Sequence, residues 1–209
     1  TLPRKFMEDF AAKTAEPFAI MNVILNAQNI PVGVVGGHYI EAHRRGIELA
    51  KKVYFVEIQE LADLVLSDTR GHDADMTQAN KGLFSAALAV KEEGAIVLVT
   101  DCSEGVSPVH GKEMLEFGRL SNDEVVEALK SGAIKDPMSA IEILHNNEVR
   151  KKAKLYLYSP NITKDEAEQM NFEYVENLEE FIESYNLQKK KIGRLRSSTF
   201  IVPYIKSFD

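Results

Sequence analysis

The stretch DADMTQANKGL, Asp73 to Leu83, places an amide and an amine three residues apart, at Gln78 and Lys81. On a helix, that separation puts both side chains on one face. An ammonium binds a carboxylate, and a primary amide positions a hydroxyl or a carbonyl oxygen. Such a pair can hold a small acid. The opening turns of a helix carry a positive field and favour acids, so a lysine there is out of place on its own account. It fits once the occupant is an anion, because the helix N-terminus then reinforces the same attraction. The spacing also admits a plainer reading. Asp75 could be the N-cap, with Gln78 completing a capping-box-like arrangement, and Lys81 could simply extend into solvent.

Other reactive residues lie nearby, each with a structural reading beside the chemical one. Asp73 and Asp75 precede the pair, and Glu104 and Gly105 fall in a later loop; together they form a candidate pocket loop around Gln78 and Lys81. Glu104 could hold Lys81 or a substrate hydroxyl, or remain a solvated loop acid. His72, Asp73 and Asp75 have metal-ligand chemistry but lack further ligands at regular spacing, and Asx residues also suit turns, so no metal site is assigned. Cys102 and His110 could be nucleophile and base, or a packing thiol and an unrelated histidine. The glycines of GVVGGHYIEAH, Gly33 to His43, lack dinucleotide-fingerprint spacing and are read as ending a hairpin. His43, beside Arg44 and Arg45, is read as structural or surface.

These residues need elements to position them. RKFMEDFAAKT, residues 4–14, is spaced as an amphipathic helix. Two β-rich runs, over about 18–25 and 31–36, flank a polar NAQN turn. A helix is expected from YIEAHRRGIELAKKV. From Ala62 the rhythm changes to buried apolar runs alternating with helices. ADLVLSD, AIVLVTD and KLYLYS read as parallel strands, FEYVE as a short strand and TFIVPYI as a closing strand. Helices are expected from MTQANKGLFSAALAVKEEG, stopped by Gly94, and over about 111–118, 122–131 and 137–149. TKDEAEQM, with Thr163 and Glu166 as a capping box, and NLEEFIESYNL complete the set. The fold class is therefore α/β, a parallel-type sheet with helices on both faces, preceded by a helix–β-hairpin–helix segment. The division expected is 1–58 for that segment and 59–209 for the α/β domain. Ligands in such sheets bind outside the carboxyl ends of the strands. The loops after ADLVLSD and AIVLVTD would face one crevice if those strands are neighbours.

Bulk properties narrow the function classes. The chain has 209 residues, a net charge of −7 and a pI near 5.4, which speaks against a nucleic-acid partner. Lys189, Lys190, Lys191, Arg194 and Arg196 form a basic run without interleaved aromatics, read as a solvated face or loop. A single cysteine suits a reducing cytoplasm, and no apolar run approaches the roughly 18 residues of a membrane span. The chain starts at Thr1 rather than Met, so either a trimmed chain or a part of something longer is expected.

Four stretches resemble the nickel-dependent lactate racemase family, the 2-hydroxyacid racemases and epimerases. They are LPRKFMEDFAAK, NVILNAQNIPVGVVGGHYIEAHRRGIELAKKVY, DADMTQANKGLFSAALAVKEEGAIVLVTDCSEG and STFIVP. The third carries the family's Gln-x-x-Lys and Glu-Gly. The resemblance is to the family's C-terminal half and implies an active site between two halves, with Gln78 and Lys81 on its substrate side. It further implies a nickel-pincer nucleotide that takes a hydride from C2 of a small 2-hydroxy acid, gives a transient 2-keto acid, and returns the hydride to either face. The histidines that move the hydroxyl proton, the metal-ligand histidine and the lysine that tethers the cofactor belong to the family's N-terminal half. That half is the partner implied, and none of those roles falls to His38, His43 or His72. Lactate-acting members also place a tryptophan in the C-terminal part. This chain has none, so which 2-hydroxy acid is left open. Oligomeric state is open too, a homo-oligomer included. Two other readings stand beside this one: a non-catalytic α/β module binding a small carboxylate, and a hydrolase built on Cys102.

Overall fold

A computed structural model describes residues 2–14, 19–26 and 28–206. Phe18 and Ala27, the ends of expected hairpin elements, and Thr1 lie outside the described residues. The chain divides into two compact units, Thr1–Phe55 and Val56–Asp209.

In the first unit, α1 (Leu2–Thr14) precedes an antiparallel hairpin of β1 (Ile20–Leu25) and β2 (Pro31–Gly37). Helix α2 (Tyr39–Tyr54) follows and packs on both strands. His38 is its N-cap, accepting from the Ile40 amide, and the Tyr54 hydroxyl donates to the Leu25 carbonyl at 2.5 Å.

The second unit is built on β4 (Ala62–Asp68), β5 (Val90–Val99), β6 (Ala153–Tyr158), β7 (Glu173–Tyr174) and β8 (Ile192–Leu195), in the order β7-β6-β5-β4-β8. Every pairing is parallel. Two faces of one strand go to two cores, as period-two alternation demands. Val65, Ile96, Leu98, Leu155 and Leu157 face α4 (Lys81–Ala89), α5 (Gly111–Phe117) and α8 (Lys164–Gln169). Leu64, Ala95 and Val97 face α9 (Leu178–Leu187). Leu64, Val65, Ile96, Val97 and Leu98 are fully buried, and each such side chain contributes roughly 1.5–3 kcal/mol. Helices α6 (Asn122–Ser131) and α7 (Pro137–Arg150) form a satellite core around Val125, Ala140 and Ile143. Thr163 and Glu166 make the capping box expected of them, and Ser121 with Glu124 makes a second.

Three sequence expectations are corrected. The helix does not run to Gly94: α4 ends at Ala89, and β5 begins at Val90, which is buried. Gly94 serves a tight irregularity instead, where a Cβ would meet Val90 Cγ2 at 2.6 Å, with Glu93 at φ 58° beside it. The basic run is not merely a solvated loop, since β8 lies inside it and forms the sheet edge beside β4. The closing segment does not join the sheet: Ser198–Phe200 makes a 3₁₀ turn, and β9 (Val202–Ile205) pairs with β3 (Phe55–Ile58).

Candidate functional site

Gln78 lies on the short helix α3 (Met76–Ala79), and Lys81 opens α4. Asp75 is the N-cap: its Oδ1 accepts from the Gln78 amide at 3.0 Å and from Thr77 Oγ1 at 2.6 Å. The Gln78 side chain does not reach back to close a capping box. It turns to Lys81, whose Nζ donates to Gln78 Oε1 at 2.5 Å. Gln78 is half-buried and Lys81 exposed, so the pair offers an ammonium and an amide N–H₂ side by side.

Beneath the pair lies a polar layer that sequence reasoning missed. Asn80, buried, donates Nδ2 to Glu142 Oε2 on α7 at 2.8 Å. Burial pushes the Glu142 carboxyl up, against the opposing pull of the Asn80 amide and the Lys81 ammonium. Glu142 is 62 residues from Asn80, so no local spacing signals it.

β4 and β5 are neighbours, as the crevice argument required, but their loops are locked together rather than apart. The Asp73 carbonyl accepts from the Cys102 amide at 2.9 Å, Asp73 Oδ2 from the Asp101 amide at 3.1 Å, and the Ala74 carbonyl from the Glu104 amide at 2.8 Å. Asp73 and Asp75 thus hold backbone in place. Gly105 sits at φ +75°, a left-handed turn that closes onto the Cys102 carbonyl. The Glu104 side chain is exposed and makes no ion pair with Lys81.

Cys102 is fully buried, 3.3 Å from Thr100 Oγ1, and its thiol is pushed up to about 12, first by burial. His110 instead places Nδ1 2.6 Å from Asp136 Oδ2. The two do not form a nucleophile and base. His72 packs edge-on against Phe200.

The sequence contains further unsuspected chemistry on the opposite sheet face. Asp68, at the carboxyl end of β4, has a side chain only 5% exposed and takes Arg70 Nη2 and Arg194 Nη2 on Oδ2, both at 2.7 Å. The Arg70 guanidinium holds its carboxyl well below the usual range, against burial and with help from Arg194. A cavity of about 390 Å³ opens over this triad.

Comparison with known proteins shows what this chain is similar to. Over 106 residues the chain is 30% identical to the lactate racemase of Thermoanaerobacterium thermosaccharolyticum, and over 122 residues it is 30% identical to that of Lactiplantibacillus plantarum. Over these stretches, 50% and 57% of its length, the chain is lactate-racemase-like. The fold agrees: the lactate racemase apoprotein structure from T. thermosaccharolyticum superposes with a TM-score of 0.76 at 20% identity, covering 95% of this chain. That identity bears on the fold alone. The matched stretches are 24% and 28% of the curated relatives' lengths, and the chain covers 48% of the solved racemase chain. No family model matches.

The nickel expected from the family resemblance would need a cluster of donor side chains. Among the described residues no group of three His, Cys, Asp or Glu side chains could hold a metal ion, and the one thiol is buried and protonated. The residues described here do not fit the metal centre. Among the described residues no helix is long and apolar enough to cross a membrane.

Proposed function

We propose that this chain is the substrate-side, C-terminal part of a cytoplasmic lactate-racemase-like enzyme that racemises or epimerises a small 2-hydroxy acid. The observation that carries this reading is the Gln78–Lys81 pair, an exposed ammonium hydrogen-bonded to a neighbouring amide on the opening turns of consecutive helices. Lys81 takes the substrate carboxylate. The Gln78 amide N–H₂, its oxygen already engaged by Lys81, donates to the 2-hydroxyl or to the carbonyl oxygen. Asp75 fixes Gln78 through its backbone, and the locked loops fix Asp75. The nickel-pincer nucleotide and the histidines that move protons belong, in this reading, to a partner half carried outside residues 1–58 and 59–209.

The test is Lys81→Ala in the full-length protein. Turnover of the 2-hydroxy acid falls more than about tenfold, with the melting temperature unchanged because Lys81 is exposed. A variant that keeps above about a tenth of the wild-type rate refutes the assignment.

A further inference from the structure

The sheet order supplies a second site. Connections run from β4 through β5 and β6 to β7 in one direction, and the chain then returns to place β8 on the other side of β4. The strand order reverses between β4 and β8, and such switch points open a crevice at the carboxyl ends. A cavity extends from there across the carboxyl ends of β4 and β5 to Pro160, on the face that carries α9. Among the described residues of this unit, α9 packs on that face, and a helix about 10 Å wide spans only part of a sheet whose strands lie about 4.8 Å apart.

We propose that this cavity binds a small monoanionic organic acid with an apolar body. Its walls are the half-buried Leu66, Val99, Leu178 and Ile182, which suit a hydrocarbon chain. Its polar end is the Asp68–Arg70–Arg194 triad. Asp68 engages Arg70 through Nε and Nη2 and Arg194 through Nη2, leaving Arg70 Nη1 and both Nε and Nη1 of Arg194 without a partner among the described residues. Two guanidinium groups share one carboxylate, and their remaining donors suit a second. Asp101 stands at the rim and Asp73 acts on Arg70 from the loop after β4, so acids already balance the two arginines. That balance accepts a single negative charge and disfavours a polyanion. A volume of about 390 Å³ with mostly apolar walls and a few convergent polar groups is the form small-molecule sites take. The site is independent of Gln78 and Lys81, whose helices pack on the other sheet face.

The probe is sodium hexanoate, titrated calorimetrically into the intact protein, with inorganic phosphate and hexanol as comparisons. Saturable hexanoate binding in the millimolar range or tighter is expected, with phosphate and hexanol each weaker by about tenfold or more. Arg70→Gln, which leaves Arg194 paired with Asp68, weakens hexanoate about tenfold in protein shown by circular dichroism to be folded. Ile182→Trp, which fills the cavity, abolishes binding, and Lys81→Ala leaves it unchanged. No saturable binding, phosphate binding as tightly as hexanoate, or an unchanged affinity in Arg70→Gln overturns the proposal. So does loss in Lys81→Ala with Arg70→Gln unaffected, which would assign the acid to the other sheet face.

Discussion

Gly82→Ala should destabilise the protein, although alanine is the better helix former. Gly82 follows Lys81 in the first turn of α4 and is buried. A Cβ there would stand 2.6 Å from Ser198 Oγ, 2.7 Å from Thr69 Cγ2 and 2.8 Å from Ser67 Oγ. None of these can withdraw into water, since Ser67, Thr69 and Ser198 have no exposed surface. The two serines also form a polar seam. Ser67 Oγ lies 2.9 Å from the Gly82 carbonyl and 2.8 Å from Ser198 Oγ, and Ser198 Oγ donates to the Asp68 carbonyl at 3.1 Å. Helix propensity returns about 1 kcal/mol to the variant. Overpacking costs about 1–3 kcal/mol, and a buried hydroxyl stripped of its partner costs about 1–3 kcal/mol more. The net is a loss of about 1–5 kcal/mol, or a melting point lower by at least about 2 °C for a protein of this size. Urea unfolding followed by circular dichroism should show a lower midpoint with an unchanged slope. An equal or higher melting point would refute the reasoning, showing that α4 shifts away from β4 without cost. Any such shift carries Lys81 with it.

Asp136 caps α7, taking the Met138 and Ser139 amides and lying 2.6 Å from His110 Nδ1. Burial pushes its carboxyl up, but hydrogen bonds from Ser139 and His110 win and hold it at about 2 instead of 3.8. A depressed folded value means stability that is complete above 3.8 and lost as pH falls toward about 2. Asp136→Ala therefore costs about 1–2 kcal/mol near neutrality, and the gap to wild type narrows through the acid range; a gap in urea midpoint independent of pH would contradict this. Cys102, buried with its thiol at about 12, should resist iodoacetamide in the folded protein at mildly alkaline pH and react fully in denaturant. Rapid labelling of the folded protein would revive the thiol-nucleophile reading.

What was legible in the sequence was local. Thr163 and Glu166 are three apart, and their capping box forms as that spacing implies. ADLVLSD, AIVLVTD and KLYLYS carry enough continuous apolar character to announce buried parallel strands, and all three are central in the sheet. The segment around β8 hid because its lysines and arginines outweigh Ile192 and Leu195 in any composition window. Yet an edge strand needs only one buried row, and charge on edges is common. Gly94 misled for a related reason. Glycine after a helical pattern suggests a stop, but here the strand had already begun at the buried Val90, and pairing with β4 overrode the local preference.

The site was half legible for a geometric reason. That ligands gather at the carboxyl ends of parallel strands can be read from strand assignments alone, and it pointed to the loops after β4 and β5. Which side of β4 opens depends on where the last strand docks, a fact held by contacts spanning 126 residues, such as Arg194 to Asp68. Adjacent strands joined by a local crossover bring their loops together, and here Asp73 ties them shut. The cavity lies instead on the face that carries α9, over the carboxyl ends of β4, β5 and β8, while the segments leaving β4 and β8 meet on the other face through Ser67, Asp68 and Ser198. Asp68 and Arg70 stood in plain view at the end of ADLVLSD, but their role required Arg194, and Arg194 required the fold.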